Sequence, residues 1–233
     1  PFLVSGHQIM SGVSIGIAIA PFDGQTAEAL QRNADLALYC AKDSGRGCWE
    51  RFENGMDVAV RERHAMERDL RNALAADEMR LFFQPLVDVS TGKQSGFEAL
   101  IRWESAARGL VMPDEFIPLA EETGLIVPLG EWVIRAAMAE AARWTEPLTI
   151  AVNVSPVQMR SPGLLPTIMN SLAETGLDPA RFEVEITEGV LLHESEANMA
   201  VLHRMRDLGI KVALDDFGTG YSSLNYLRTF PFD

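Results

Sequence analysis

Apolar positions in this 233-residue chain fall into short alternating bursts, separated by stretches where they recur every three or four residues. The first burst, Val13–Ala20, is rich in Ile and Val and predicts a strand. Pro21 and Asp23-Gly24 then turn the chain. Thr26 offers a helix N-cap with Glu28 in the first turn, and Ala27, Leu30, Ala34, Ala37, Leu38 and Ala41 keep helical spacing up to Gly45. Gly47–Phe52 predicts a second strand. Met56–Ala76 reads as a helix with interleaved charge and a stripe of Met66, Leu70, Ala73 and Leu74, a connector between two modules. Leu81–Val87 and Ser95–Trp103 are strand-like runs joined by turn chemistry at Ser90–Lys93, which predicts an antiparallel hairpin. Helices follow at Pro113–Glu122, Glu131–Trp144, Leu164–Glu174 and Glu194–Leu208, with Gly176 and Gly209 closing the last two. Between them lie strands at Leu148–Val154, Arg181–Thr187 and Lys211–Asp215. Strand and helix alternating at roughly thirty residues per unit require a parallel sheet of βα units.

In such sheets functional groups collect at the C-terminal ends of the strands. Asn153, Glu185 and the Asp215-Asp216 pair lie at or near predicted strand ends, and Glu98 falls inside the run Phe97–Trp103, where its placement depends on register. These four carboxylates and one amide are all hard oxygen donors, a set suited to Mg²⁺ or Mn²⁺ rather than zinc or copper. Adjacent strand residues address opposite faces, so Asp215 and Asp216 can reach two points in space. Two like charges so close are costly unless a cation sits between them. The competing reading of Asp215–Gly220 is a solvated turn, for which Asp and Gly are common residues.

Composition narrows the function classes. A net charge of −13 argues against non-specific affinity for a nucleic acid polymer or an anionic membrane surface. Cys40 and Cys48 have neither zinc-ligand spacing nor disulfide density, which predicts a reducing, cytoplasmic setting. His7, His64, His193 and His203 form no metal pair at helical spacing, and no apolar run reaches the length of a membrane span. The start at Pro1, without Met or a basic leader, and the stop at Asp233 read as a chain entered and left part-way.

Two resemblances follow from particular residues. Ser14-Ile-Gly-Ile-Ala18, Ala34-Asp35-Leu-Ala-Leu-Tyr39, Ala41-Lys42 and Gly45-Arg46 resemble the last third of a GGDEF domain, the diguanylate cyclase fold. In that family the positions of Lys42 and Arg46 contact nucleotide phosphates. The signature turn that carries cyclase chemistry is absent from this sequence, so the resemblance implies no cyclase activity here. Gln84-Pro85, Glu98-Ala99-Leu100 with Arg102-Trp103, Asn153-Val-Ser155, Glu185-Ile-Thr-Glu188 and Asp215-Asp-Phe-Gly218 resemble an EAL domain, in family order and spacing. The expected organisation is 1–54 as the C-terminal part of a GGDEF domain, 55–76 as a connecting helix, and 77–233 as an EAL domain incomplete at its C-terminus. The implied fold class is α/β, a partial TIM-type (β/α) barrel with an antiparallel first strand, preceded by an α+β GGDEF remnant.

The resemblance to the EAL family implies a metal-dependent phosphodiesterase that opens cyclic di-GMP to the linear dinucleotide pGpG in bacterial signalling. Carried over residue by residue, Glu98, Asn153, Glu185 and Asp215 hold one metal and Asp216 a second, in a two-metal site of Mg²⁺ or Mn²⁺. Glu98, Asp215, Asp216 and Glu188 form the catalytic set, with Glu188 ordering the loop after the double aspartate. Gln84, Leu100 and Arg102 line the substrate, the Arg102 fork pairing with a phosphate. The resemblance further implies a homodimer through the EAL domain and a parent tethered to a membrane, if at all, through regions outside this span. The family also places a lysine on the strand after the double-aspartate loop, beyond Asp233. From Met79 onward the chain supplies roughly five of the eight strands in a barrel of about 250 residues. The span alone is therefore expected to be marginally stable and catalytically inactive. Two other readings stay open: a non-hydrolysing cyclic di-GMP receptor, and an unrelated Mg²⁺-dependent barrel enzyme.

Overall fold

The computed structural model describes residues 2–4, 7–9, 12–187, 190, 196–215 and 232. The chain divides into two compact units, Pro1–Arg68 and Asp69–Asp233. In the first, β1 (Phe2–Val4) pairs antiparallel with β2 (His7–Ile9), and β3 (Ile15–Ile17) pairs parallel with β4 (Trp49–Arg51) across α1 (Ala27–Asp43). Thr26 caps α1 by accepting from the Ala29 amide, as its position predicts. Ala37 and Ala41 are fully buried, and a Cβ at Gly16 would collide with the α1 backbone at Ala34 and Leu38. Only glycine lets this helix lie so close to its strand. The strand predicted over Val13–Ala20 is shorter than its hydrophobic pattern. Beyond Ile17 the ladder stops because both backbone groups of Ile19 are taken by Asp23, through its carboxylate and its amide, each at 2.7 Å.

α2 (Met56–Ala73) contains the division point between the units. In the second unit, Leu70 and Ala73 at its C-terminal end are buried. Then come β5 (Met79–Val87), β6 (Gln94–Ser105), β7 (Gly109–Val111), α3 (Pro113–Thr123), α4 (Ile126–Ala141), β8 (Thr149–Asn153), α5 (Pro156–Met159) and α6 (Leu164–Thr175). A 3₁₀ turn at Pro179–Arg181 leads into β9 (Phe182–Thr187), followed by α7 (Glu196–Asp207) and β10 (Lys211–Asp215). The sheet order is β10-β9-β8-β6-β5, with β7 hydrogen-bonded to the free part of β6. β5 is antiparallel to β6, while β6, β8, β9 and β10 run parallel, so the predicted antiparallel first strand and the βα succession are both present. The β5–β6 turn is held by Asp88, whose Oδ1 accepts from the amides and hydroxyls of Ser90 and Thr91. Those bonds hold its carboxyl below the usual range.

The helix predicted at Glu131–Trp144 in fact starts at Ile126 and ends at Ala141. Pro128 sits in the first turn, where no intrahelical amide bond is lost. Side chains alternate across the sheet. One face carries Phe83, Phe97, Ala99, Ile101, Ile150, Val152, Phe182, Val184, Ile186, Val212 and Leu214, which pack with the helices into one core. Phe83, Phe97 and Trp144 form a mutually packed ring cluster within it. Arg181 braces the edge of this core, donating to the carbonyls of Leu148 (3.0 Å), Ala141 (2.8 Å) and Glu146 (3.3 Å).

Candidate active site

The opposite face of the same sheet gathers the polar positions. The register pairs Gln84 with Glu98 and Phe82 with Leu100 across β5–β6, and Glu98 with Ala151 across β6–β8. It pairs Asn153 with Glu185 across β8–β9, and Asp215 with Thr187 across β9–β10. Paired residues share a face, so Gln84, Glu98, Leu100, Arg102, Asn153, Glu185 and Asp215 all lie on the side away from the helical core. The register left open for Glu98 by the sequence is thereby fixed. Glu188 and Asp216 lie outside the described residues.

Within this face the Asn153 side-chain amide donates to Glu98 Oε1 at 2.7 Å. Next to it the Glu185 carboxyl is pushed up to about 7, first by burial and then by the facing carboxylates of Glu98, Glu183 and Asp215. One of its oxygens, Oε2, is buried without a hydrogen-bond partner. Arg102 arches over the Phe82 ring, its guanidinium carbon 5.6 Å from the ring centre, and donates to the Ile101 carbonyl at 2.8 Å. Beside the cluster opens a cavity of about 280 Å³, walled by Ile117, Ile126, Leu129 and Val133 and bordered by Leu100, Asn153 and Thr187. Gln84 and Arg102 do not line that cavity, so the residues expected around a substrate divide between it and the open sheet face.

Residues 67–233 match the family model described as EAL domain. The chain belongs to the EAL-domain family. Residues 1–48 match the model for the diguanylate cyclase GGDEF domain. An uncharacterized signaling protein of Caulobacter vibrioides is 48% identical over the whole chain, which spans 29% of that relative. Cyclic di-GMP phosphodiesterase PdeR of Escherichia coli is 39% identical over the whole chain, which spans 36% of it. The chain thus spans about a third of the length of the curated relatives it matches. Among solved structures, the PaMucR phosphodiesterase in complex with c-di-GMP superposes with a TM-score of 0.69 at 39% identity, over 72% of this chain and 70% of that one.

EAL phosphodiesterases as a family depend on divalent metal. Among the described residues no three carboxylate, imidazole or thiolate groups close into a ready cage. The cluster is instead open, and its chemistry fits a hard cation: oxygen donors from four strands, converging like charges, and one buried oxygen without a partner. Two further residues of this EAL domain, Glu121 and Gln158, border the cavity without having stood out in the sequence, beside Ser155 of the Asn153-Val-Ser155 motif. Burial raises the Glu121 carboxyl, while the Ser155 hydroxyl beside it and the charge of Arg160 act the other way. The Ser155-x-x-Gln158 spacing is that of a capping box and was readable from the sequence. Glu121 lies on a helix whose apolar face gave no hint of a carboxylate at the cavity. Among the described residues, no helix is long and apolar enough to cross a membrane.

Proposed function

We propose that the chain carries a cyclic di-GMP phosphodiesterase module that hydrolyses its substrate to linear pGpG with the aid of Mg²⁺ or Mn²⁺. The supporting observation is that Glu98, Asn153, Glu185 and Asp215 share one sheet face, with the buried Glu185 oxygen left without a partner. These four would hold one metal, and Asp216 would hold a second. Bound there, divalent metal supplies Lewis-acid polarisation of the phosphodiester and lowers the pKa of the attacking water. Arg102, steadied over Phe82, presents a fork of donors to a phosphate oxygen. Gln84 and Leu100 line the substrate from the antiparallel first strand and its neighbour. Asn153 takes a share of the Glu98 charge through its side-chain NH₂, which leaves its Oδ1 to ligate the metal. Glu188 orders the loop after the double aspartate.

The module acts in the cytoplasm and as a homodimer through its EAL domain on this reading. The test is to purify the full-length parent protein, supply cyclic di-GMP with Mg²⁺, and resolve the products chromatographically while measuring mass by sedimentation. Appearance of pGpG is the expected result. Tight nucleotide binding with no turnover would instead assign a receptor, and neither binding nor turnover would refute the substrate.

A further inference from the structure

Gln158 is polar, yet only 5% exposed, and three elements converge on it. Its Oε1 accepts from the Ser155 amide at 3.0 Å, and Ser155 Oγ accepts from the Gln158 amide at 3.3 Å. The other end of its side chain rests on α4 at Gly130, where any Cβ would collide with Nε2 and stand 2.7 Å from Cδ. From α3, the Glu121 carboxylate meets the Ser155 hydroxyl. The turn so braced begins at Ser155, two residues after Asn153. Val154, between them, ties the same turn to β9 by donating to the Glu185 carbonyl at 2.8 Å.

The rotation of the Asn153 amide matters because its two ends differ in sign. With Nδ2 donating to Glu98, Oδ1 is the end left for a cation; turned over, the amide would present its donor hydrogens to the metal. A short surface helix can be capped by an exposed side chain, so capping alone does not call for a buried glutamine pressed onto a glycine. We infer that Gln158 is a positioning residue: braced on Gly130, it fixes the turn after β8 so that Asn153 presents oxygen to the metal and nitrogen to Glu98. The inference rests on the metal-dependent reading above and adds to it a residue outside the ligand set.

Two substitutions isolate the effect in the full-length parent protein. Gln158→Met keeps the length and packing of the side chain but removes the acceptor for Ser155. Gly130→Ala leaves Gln158 chemically intact and displaces it, although alanine is the better helix former. Mn²⁺ binding is measured by electron paramagnetic resonance without nucleotide, alongside thermal unfolding and cyclic di-GMP turnover. Each variant should bind Mn²⁺ about tenfold more weakly, the low end for residues that orient metal ligands. Turnover should recover when Mn²⁺ is raised by the same factor, with the nucleotide KM within about twofold of the parent. The double variant should be no worse than either single one, because both act through one side chain. Should Gln158→Met fail to fold, Gly130→Ala decides. Unchanged Mn²⁺ affinity with a lowered unfolding temperature would overturn the inference and leave Gln158 a purely structural cap. A shift confined to KM would overturn it too, assigning Gln158 to the substrate cavity. A parent chain that turns over substrate but binds no Mn²⁺ would refute the metal reading, and this inference with it.

Discussion

Replacing Glu185 by glutamine should stabilise the metal-free protein at alkaline pH and abolish its response to metal. Burial and the carboxylates of Glu98, Glu183 and Asp215 raise the Glu185 carboxyl from the usual 4.5 to about 7. In the folded state the proton is therefore held roughly 300-fold more tightly than in the unfolded chain, which corresponds to ~3 kcal/mol at full strength. Glu185 is only partly buried, and solvent screening reduces the usable figure to about 1–2 kcal/mol. The sign follows from linkage: with the folded pKa raised, the contribution is fully present below pH 4.5 and is lost as pH rises through about 7. Wild type in EDTA should lose this stability between those limits, whereas Glu185→Gln, neutral throughout, should not. Urea unfolding at pH 4 and pH 8 measures both. At pH 8 the metal-free variant should exceed wild type by about 1–2 kcal/mol, and at pH 4, below the unfolded value, the two should coincide. Adding Mg²⁺ at a hundred times its dissociation constant should then stabilise wild type by about 2.7 kcal/mol and reverse the order. Equal stability of the two proteins at pH 8 in EDTA would refute the electrostatic account of the cluster. An undiminished Mg²⁺ response in the variant would remove Glu185 from the ligand set.

Asp215→Asn and Glu98→Gln should each abolish turnover while shifting the thermal unfolding midpoint by no more than a few degrees; full activity with bound metal would refute their assignment as ligands. Ca²⁺ should inhibit where Mg²⁺ or Mn²⁺ supports activity, because its larger and looser coordination does not hold octahedral geometry, and a competition assay reads this directly. Arg181→Ala, remote from the polar face, should cost about 3 kcal/mol of stability by freeing three carbonyls, with kcat unchanged in the surviving folded fraction.

The βα succession was legible because its strands are apolar runs and its helices end in glycines. Gly176 closes α6 in the left-handed conformation with φ 67°, as its place in the sequence suggested. What period and composition could not supply was lateral register. Glu98 sits in a strand whose neighbours, Phe97 and Ala99, belong to the core, and only the pairing with Gln84 and Ala151 shows which face it takes. The start of α4 was missed for a different reason. Gly130 weakens a helix by local propensity, yet the contact with Gln158, 28 residues later in sequence, demands it. The β3 strand was over-read because Ile19 looks like a strand residue until the Asp23 carboxylate claims its amide. Of the carboxylates, Glu185 and Asp215 were visible as strand-end residues, while Glu121 shows its place only once α3 is laid against the turn after β8.

The strict alternation of faces along β6 makes the strand intolerant of changes in length. Deleting one residue between Gly96 and Trp103 would turn Glu98, Leu100 and Arg102 into the aromatic cluster and bring Phe97 or Ile101 into water. Gain or loss of residues among relatives should therefore be confined to two places beside the strand. One is the Asp88–Lys93 turn, with the register shift at Leu86/Val87 next to it; the other is the tip between Ser105 and Gly109. A library of single-codon insertions scored for expression would trace the strand as a silent interval between two permissive loops. It would thereby map the polar face without any measurement of catalysis.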